Sequence, residues 1–342
     1  MQLSLEQLKQ ITNGVVLLES KNGRFIFHRF TENQENHYKQ TNKLFYALAY
    51  ATTSVSLDFM TDADEFGFSY DIFKATSRSF YYFDVYIDGI MKLHLGESDM
   101  WINHGTVKVN IKELLGVHID NDSKVQHRIT VWLPNLVVAQ LFDVYISDGA
   151  CLKGVQKSLK LLTYGDSITE GFDAEFSSLS YVNRITRSFD AEVLNQAIGG
   201  ERFAPDLLDR NLEFSPDIII VAYGTNDWSV CTREQLESRC ENFLVALNEI
   251  YPDIQKYLII PIWRVDIDTI PSKYGGSFEC VCSYIRSRGI AHGYKIIEGI
   301  NLVPHVTKFF GDNKIHPNDM GFAEYANNLI KQIKIKNYVV DN

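Results

Sequence analysis

No apolar run in the 342 residues reaches the ~18 needed to cross a bilayer. The longest beside a motif, Ile218 to Tyr223, has the length of a buried strand. The opening residues, Met1-Gln2-Leu3-Ser4-Leu5-Glu6, lack the basic segment and apolar stretch of a secretory signal. Cysteines are few and odd in number: Cys151, Cys231, Cys240, Cys280 and Cys282. Cys280-Val281-Cys282 is one residue too tight for a zinc pair, and no second pair accompanies it. The expectation is reduced thiols in a cytoplasmic protein with no metal and no cofactor. Positive charge is in deficit, with 33 Lys+Arg against 43 Asp+Glu and a net charge of −10. That sign repels phosphate backbones and anionic lipid surfaces, so neither nucleic acid nor membrane is expected as a partner. Repeats and low-complexity segments are absent. An apolar content of 45% with 22% charged residues excludes disorder. At ~150 residues per domain, the length suggests about two domains.

The pattern changes near residue 150. Before it, short runs rich in Val, Ile, Tyr and Phe alternate with turns. Gly14 to Leu18 and Arg24 to Phe30 flank Lys21-Asn22-Gly23, and Asn-Gly between apolar runs signals a hairpin. Further strands are expected at Ser54 to Phe59, Phe66 to Ile72, Tyr81 to Ile87, Met91 to Leu95, Thr106 to Ile111, His127 to Leu133 and Val137 to Ile146. Only Ser4 to Ile11 reads as helical. Such runs predict an all-β sandwich over residues 1–152. Its histidines, His28, His37, His94, His104, His118 and His127, lack ligand spacing and are expected to be surface or packed residues.

Residues 153–342 alternate strand and helix. Strands are expected at Leu159 to Tyr164, Glu192 to Asn195, Asp217 to Tyr223, Tyr257 to Pro261 and Lys295 to Ile297. Tyr181, Val182, Ile185 and Phe189 share one helical face. Thr232-Arg233-Glu234-Gln235 is a capping-box pattern ahead of Leu236, Cys240, Phe243, Leu244 and Leu247. Helices are also expected at Phe278 to Arg288 and through Phe322, Ala326, Leu329, Ile330 and Ile333. This alternation predicts an α/β domain, a parallel sheet flanked by helices.

Ligands of such sheets bind beyond the carboxyl ends of the strands. Three unusual segments follow strands: Tyr164-Gly165-Asp166-Ser167, Asn195-Gln196-Ala197-Ile198-Gly199-Gly200 and Tyr223-Gly224-Thr225-Asn226-Asp227. A fourth, Asp312-Asn313-Lys314-Ile315-His316-Pro317, precedes the last helix. Taken singly, each has a plain reading as a turn, a cap or a surface loop. Together they supply a hydroxyl nucleophile on a turn expected to expose it (Ser167) and a base (His316). The N–H groups of Ser167 and Gly200 and the amide of Asn226 are three candidate oxyanion donors.

This constellation resembles the SGNH (GDSL-type) hydrolase superfamily over about residues 158–335. The resemblance implies a catalytic Ser167, an oxyanion Gly200, an oxyanion Asn226 and a catalytic His316. That family's usual third triad member lies three residues before the histidine, where this chain has Asn313. Three arrangements stay open: Asp312 reaches His316, a backbone carbonyl or Asn313 orients the ring, or the site is degenerate. A jelly-roll-like β-domain ahead of the SGNH domain is similar to carbohydrate esterase family 2. This implies a serine esterase that removes small acyl groups, acetyl above all, from O-acetylated carbohydrate, with a small-molecule or oligosaccharide ester as its substrate. The alternatives are a lipase-like acylhydrolase and a carbohydrate-binding protein with a degenerate hydrolase domain. Trp228 and Trp263 follow strand ends, where either could floor a substrate cleft or pack at an interface. Trp101 and Trp132 are expected in the β-domain core. Oligomeric state is not legible.

Overall fold

Residues 1–116 and 125–335 are described by the computed structural model; His118 lies outside them. The Asn22-Gly23 signal forms its hairpin. Both residues adopt positive φ, 51° and 74°, and strand Leu17–Lys21 pairs with Arg24–His28 through Lys21 and Arg24. These two strands continue into an antiparallel sheet with Val137–Ile146, Glu65–Lys74 and His104–Asn110. A second antiparallel sheet is built around Ser56–Thr61, His127–Trp132, Tyr81–Ile87 and Ile90–Glu97. Alternate residues of the two sheets face each other. Phe68 meets Phe83 and Phe59 meets Phe66, each pair 5.1 Å between ring centroids, in one buried core.

The third sheet is wholly parallel. Its order is Glu192–Asn195, Lys160–Gly165, Ile218–Ala222, Gln255–Ile259, Lys295–Ile297. Helices Tyr181–Ser188 and Asp319–Ile330 cover one face through Tyr181, Ile185, Phe322 and Leu329. Helices Arg233–Ile250 and Phe278–Ala291 cover the other through Leu236, Phe243, Val281 and Ile285. The Thr232 capping box is present, satisfying donors at the helix start. The strand order reverses between Lys160–Gly165 and Ile218–Ala222, and that switch point is where such sheets bind ligands.

The expectation of a single amino-terminal helix is corrected. Besides Leu5–Ile11, helices form at Glu32–Thr41, Lys43–Ala49 and Ile111–Leu115. Helix Glu32–Thr41 is polar in sequence, which hid its period, but Thr31-x-x-Gln34 is a capping box. Asn42 ends this helix and caps the next. Tyr38, Phe45 and Leu48 of the pair pack with Ile198, Ala204 and Leu207, so the amino-terminal part grips the loop after Glu192–Asn195. Trp132 is buried, whereas Trp101 is 89% exposed and not in the core. His28, His94 and His127 pair with Glu35, Asp84 and Asp88, each at 2.7 Å. All five cysteines are free. Among the described residues, no helix is long and apolar enough to cross a membrane.

Candidate active site

Strand Lys160–Gly165 ends in a glycine because nothing larger fits. A Cβ on Gly165 would lie 2.2 Å from the Thr169 Oγ1. Asp166 then caps the short helix Ser167–Glu170, accepting the Ile168 N–H at 3.0 Å. Burial lifts the Asp166 carboxyl to about 6, although the Ile168 N–H and the His316 and Arg264 charges oppose the rise. Ser167 is 8% exposed and so lies deeper than its turn implied.

The Ser167 Oγ is 2.8 Å from His316 Nε2. On the other side of the ring, Nδ1 is 2.8 Å from Asp312 Oδ2. The second oxygen, Oδ1, accepts the main-chain N–H groups of Lys314, Ile315 and His316 at 2.8, 2.9 and 3.1 Å. Burial alone would raise the Asp312 pKa. The hydrogen bond and charge of His316, with the Lys314 and His316 N–H groups, outweigh it and hold the carboxyl well below the usual range. Asn313 makes the offset of one residue possible. It adopts φ 56°, a left-handed geometry that asparagine tolerates, and the chain curls back so that Asp312 reaches the ring.

Phe172 lies 4.6 Å from the imidazole, ring to ring. Beside it, Asp173 brings a second carboxylate, with ligand-type atoms of Asp173, Asp312 and His316 all within 4.8 Å of one another. Burial and the Asp312 charge raise the Asp173 pKa, while His316 and Arg78 lower it. This set has one imidazole and two carboxylates, with His316 and Asp312 already hydrogen-bonded to each other. Its second carboxylate adds negative potential at a ring that becomes cationic when it accepts a proton.

Across Ser167 lies the Gly199-Gly200 segment. A Cβ on Gly199 would be 3.7 Å from that of Ser167. The Glu201 N–H bonds the Ile198 carbonyl at 3.0 Å, closing a four-residue turn with Gly200 third at φ 84°. A type II turn requires that sign of φ there, and glycine adopts it without strain. The Asn226 amide donates to the Glu201 carbonyl at 3.0 Å, which brings it beside this turn with a second N–H still to give. Asp227 accepts the Phe203 N–H at 3.2 Å; burial raises its carboxyl to about 7.

The two tryptophans part company. Trp228 is 3% exposed, edge-on to Phe278 at 5.1 Å, and has the Arg264 guanidinium over its ring. Its Nε1 donates to the Gly276 carbonyl, so it is a core residue and not the floor of a cleft. Trp263 is half-buried, stacked on His305 at 5.1 Å and edge-on to Phe310 at 5.5 Å. It runs beside the histidine loop, where Val265 N–H bonds the Lys314 carbonyl at 2.7 Å. Asp173, Glu170 and Arg29 escaped the sequence reading; Asp173 and Glu170 flank the Ser167 turn, and Arg29 carried no local signal.

Residues 163–323 match the model of the GDSL-like Lipase/Acylhydrolase family. No curated protein matches the chain. Among solved structures, the salicylyl-acyltransferase SsfX3 from a tetracycline biosynthetic pathway superposes with TM-score 0.75 at 17% identity, covering 94% of this chain and 93% of that one. A putative GDSL-like lipase from Bacteroides ovatus gives 0.69 at 15%, with coverage of 98% and 99%. The acetyl xylan esterase Est2A from Butyrivibrio proteoclasticus gives 0.59 at 14%, covering 94% of each. At these identities the superpositions establish a shared two-part fold. Residues 163–323, just under half of the chain, thus carry a likeness to the GDSL-like lipase/acylhydrolase family.

Proposed function

We propose that the protein is a serine esterase that removes small acyl groups, O-acetyl above all, from carbohydrate. The observation that carries this reading is the line from Ser167 Oγ through His316 to Asp312, 2.8 Å at each step. In the proposed cycle Ser167 Oγ attacks the ester carbonyl while His316 Nε2 takes its proton. Asp312 keeps Nδ1 protonated and stabilises the imidazolium. The N–H groups of Ser167 and Gly200 and the free Asn226 N–H receive the oxyanion. The tetrahedral intermediate collapses, His316 returns the proton to the departing sugar hydroxyl, and acetyl-Ser167 remains. Water, deprotonated by His316, attacks the acetyl carbonyl. Acetate leaves, and the proton returns to Ser167.

The carbohydrate substrate is proposed from the carbohydrate esterases among the structural neighbours, although the Bacteroides ovatus lipase shares the layout. The acetyl xylan esterase above superposes over 94% of this chain, its β-region included. A family two carbohydrate esterase from Clostridium thermocellum, solved with cellohexaose, shares the fold at TM-score 0.60 and 16% identity. Trp263 is the aromatic proposed to meet the sugar. The test is a panel of p-nitrophenyl esters from acetate to long chains, beside acetylated oligosaccharides. We expect kcat/KM to fall steeply beyond butyrate and acetate to be released from the oligosaccharides. A rise toward octanoate would indicate a lipase-like enzyme, and oligosaccharide binding without turnover a degenerate hydrolase.

A further inference from the structure

A backbone N–H is useful to an oxyanion only if its peptide is held in one orientation before the charge appears. The turn at Ile198–Glu201 is held from beneath. The Ile198 N–H bonds the Gly165 carbonyl at 3.2 Å, and the Gly199 N–H donates to Glu170 Oε2 at 2.7 Å. Glu170 is fully buried at the end of the Ser167 helix. Such a carboxylate needs a countercharge, and it receives one from the other half of the molecule. Arg29, also fully buried, follows strand Arg24–His28 and brings Nη2 to 3.7 Å from Glu170 Oε1.

The guanidinium is fixed by main chain on both sides of the junction. Nε donates to the Ala51 carbonyl at 2.6 Å and Nη2 to the Leu48 carbonyl at 3.0 Å. Nη1 donates to Ala197 at 3.3 Å and also to Asn195, both on the segment that enters the turn. The Gln196 amide returns a bond to the Arg29 carbonyl at 3.0 Å. Arg29 therefore contacts both the anchor of the turn and the chain leading into it.

We infer that the Arg29–Glu170 pair is a strut through which the amino-terminal β-region orients the Gly199-Gly200 turn, making both residues positioning residues for turnover. The inference rests on the assignment of Gly200 as an oxyanion donor. A strut of this kind acts on the transition state, so its loss lowers kcat and leaves KM nearly unchanged.

The test compares the full-length enzyme with Glu170→Gln, which keeps the volume and one acceptor, and Glu170→Ala, which removes the anchor. With p-nitrophenyl acetate we expect kcat to fall about 10-fold and about 100-fold respectively, the second approaching loss of one oxyanion donor, with KM within about threefold. Affinity for a boronic acid, which mimics the tetrahedral intermediate, should fall in parallel. Amide hydrogen exchange across residues 196–203 should accelerate at least about tenfold in Glu170→Gln, a readout that needs no activity. A folded Glu170→Gln with wild-type kcat and unchanged exchange would overturn the strut and leave the esterase reading standing. A wild-type enzyme inert on every ester would overturn the esterase reading, while exchange would still report whether Glu170 anchors the turn.

Discussion

Asp312 holds His316 with both of its oxygens: Oδ2 meets Nδ1 at 2.8 Å, and Oδ1 accepts the His316 N–H at 3.1 Å. The carboxylate therefore fixes the ring and the main chain that carries it. Asp312→Ala should lower kcat about 10⁴-fold, because the imidazolium loses its countercharge and its tautomer is no longer set. Asn313→Gly should be nearly silent, since glycine adopts the same φ. Steady-state kinetics on p-nitrophenyl acetate separates the two. An active Asp312→Ala would leave a Ser–His dyad as the working unit.

The same carboxylate predicts acid sensitivity. Its pKa is depressed in the folded protein, so folding favours the ionised form. That contribution is complete above the unfolded value of ~3.9 and drains away as pH falls below it. The difference in Tm between wild type and Asp312→Asn should therefore shrink as pH is lowered from 5 to about 2.5. A difference constant across that window would contradict the depressed pKa.

Asn226→Ala should lower kcat by roughly 10²–10³-fold with a smaller change in KM, since an oxyanion donor acts mainly in the transition state. The variant also frees the Glu201 carbonyl, so its Tm belongs beside the kinetics. A change confined to KM would make Asn226 a ground-state contact.

Trp228→Ala tests burial directly. Removing a side chain that is 3% exposed should cost about 3–5 kcal/mol of stability, measured by urea unfolding. Trp228→Phe, which keeps most of the ring, should leave KM for acetylated oligosaccharide unmoved. A large KM effect in a stable Trp228→Phe would return the residue to the cleft.

Much of this site could be read from the chain because it sits where the sequence is punctuated. Ser167, Gly200 and Asn226 follow apolar strands at Gly- and Asn-rich breaks, and His316 precedes a helix start. Asp312 was left open because its spacing is one residue too long, and asparagine at 313 permits the left-handed turn without demanding it. Helix Glu32–Thr41 was missed because its buried face is made of Gln34, Glu35 and Tyr38, whose polarity hides the period. Arg29 and Glu170 were illegible for a different reason. Each looks like an ordinary charged residue until the tertiary fold buries both and sets them 3.7 Å apart. Trp228 was left open between cleft and packing because its depth depends on Phe278 and Arg264, which arrive from distant segments.

In the proposed cycle everything depends on Ser167 being a nucleophile activated by His316. Intact-protein mass spectrometry after brief exposure to a fluorophosphonate, which phosphonylates an activated serine, tests it most directly. One adduct per chain is expected, mapped by peptide sequencing to Ser167, absent in Ser167→Ala and formed far more slowly in His316→Ala. A folded, unlabelled wild-type protein, or an adduct that persists in Ser167→Ala, would contradict it.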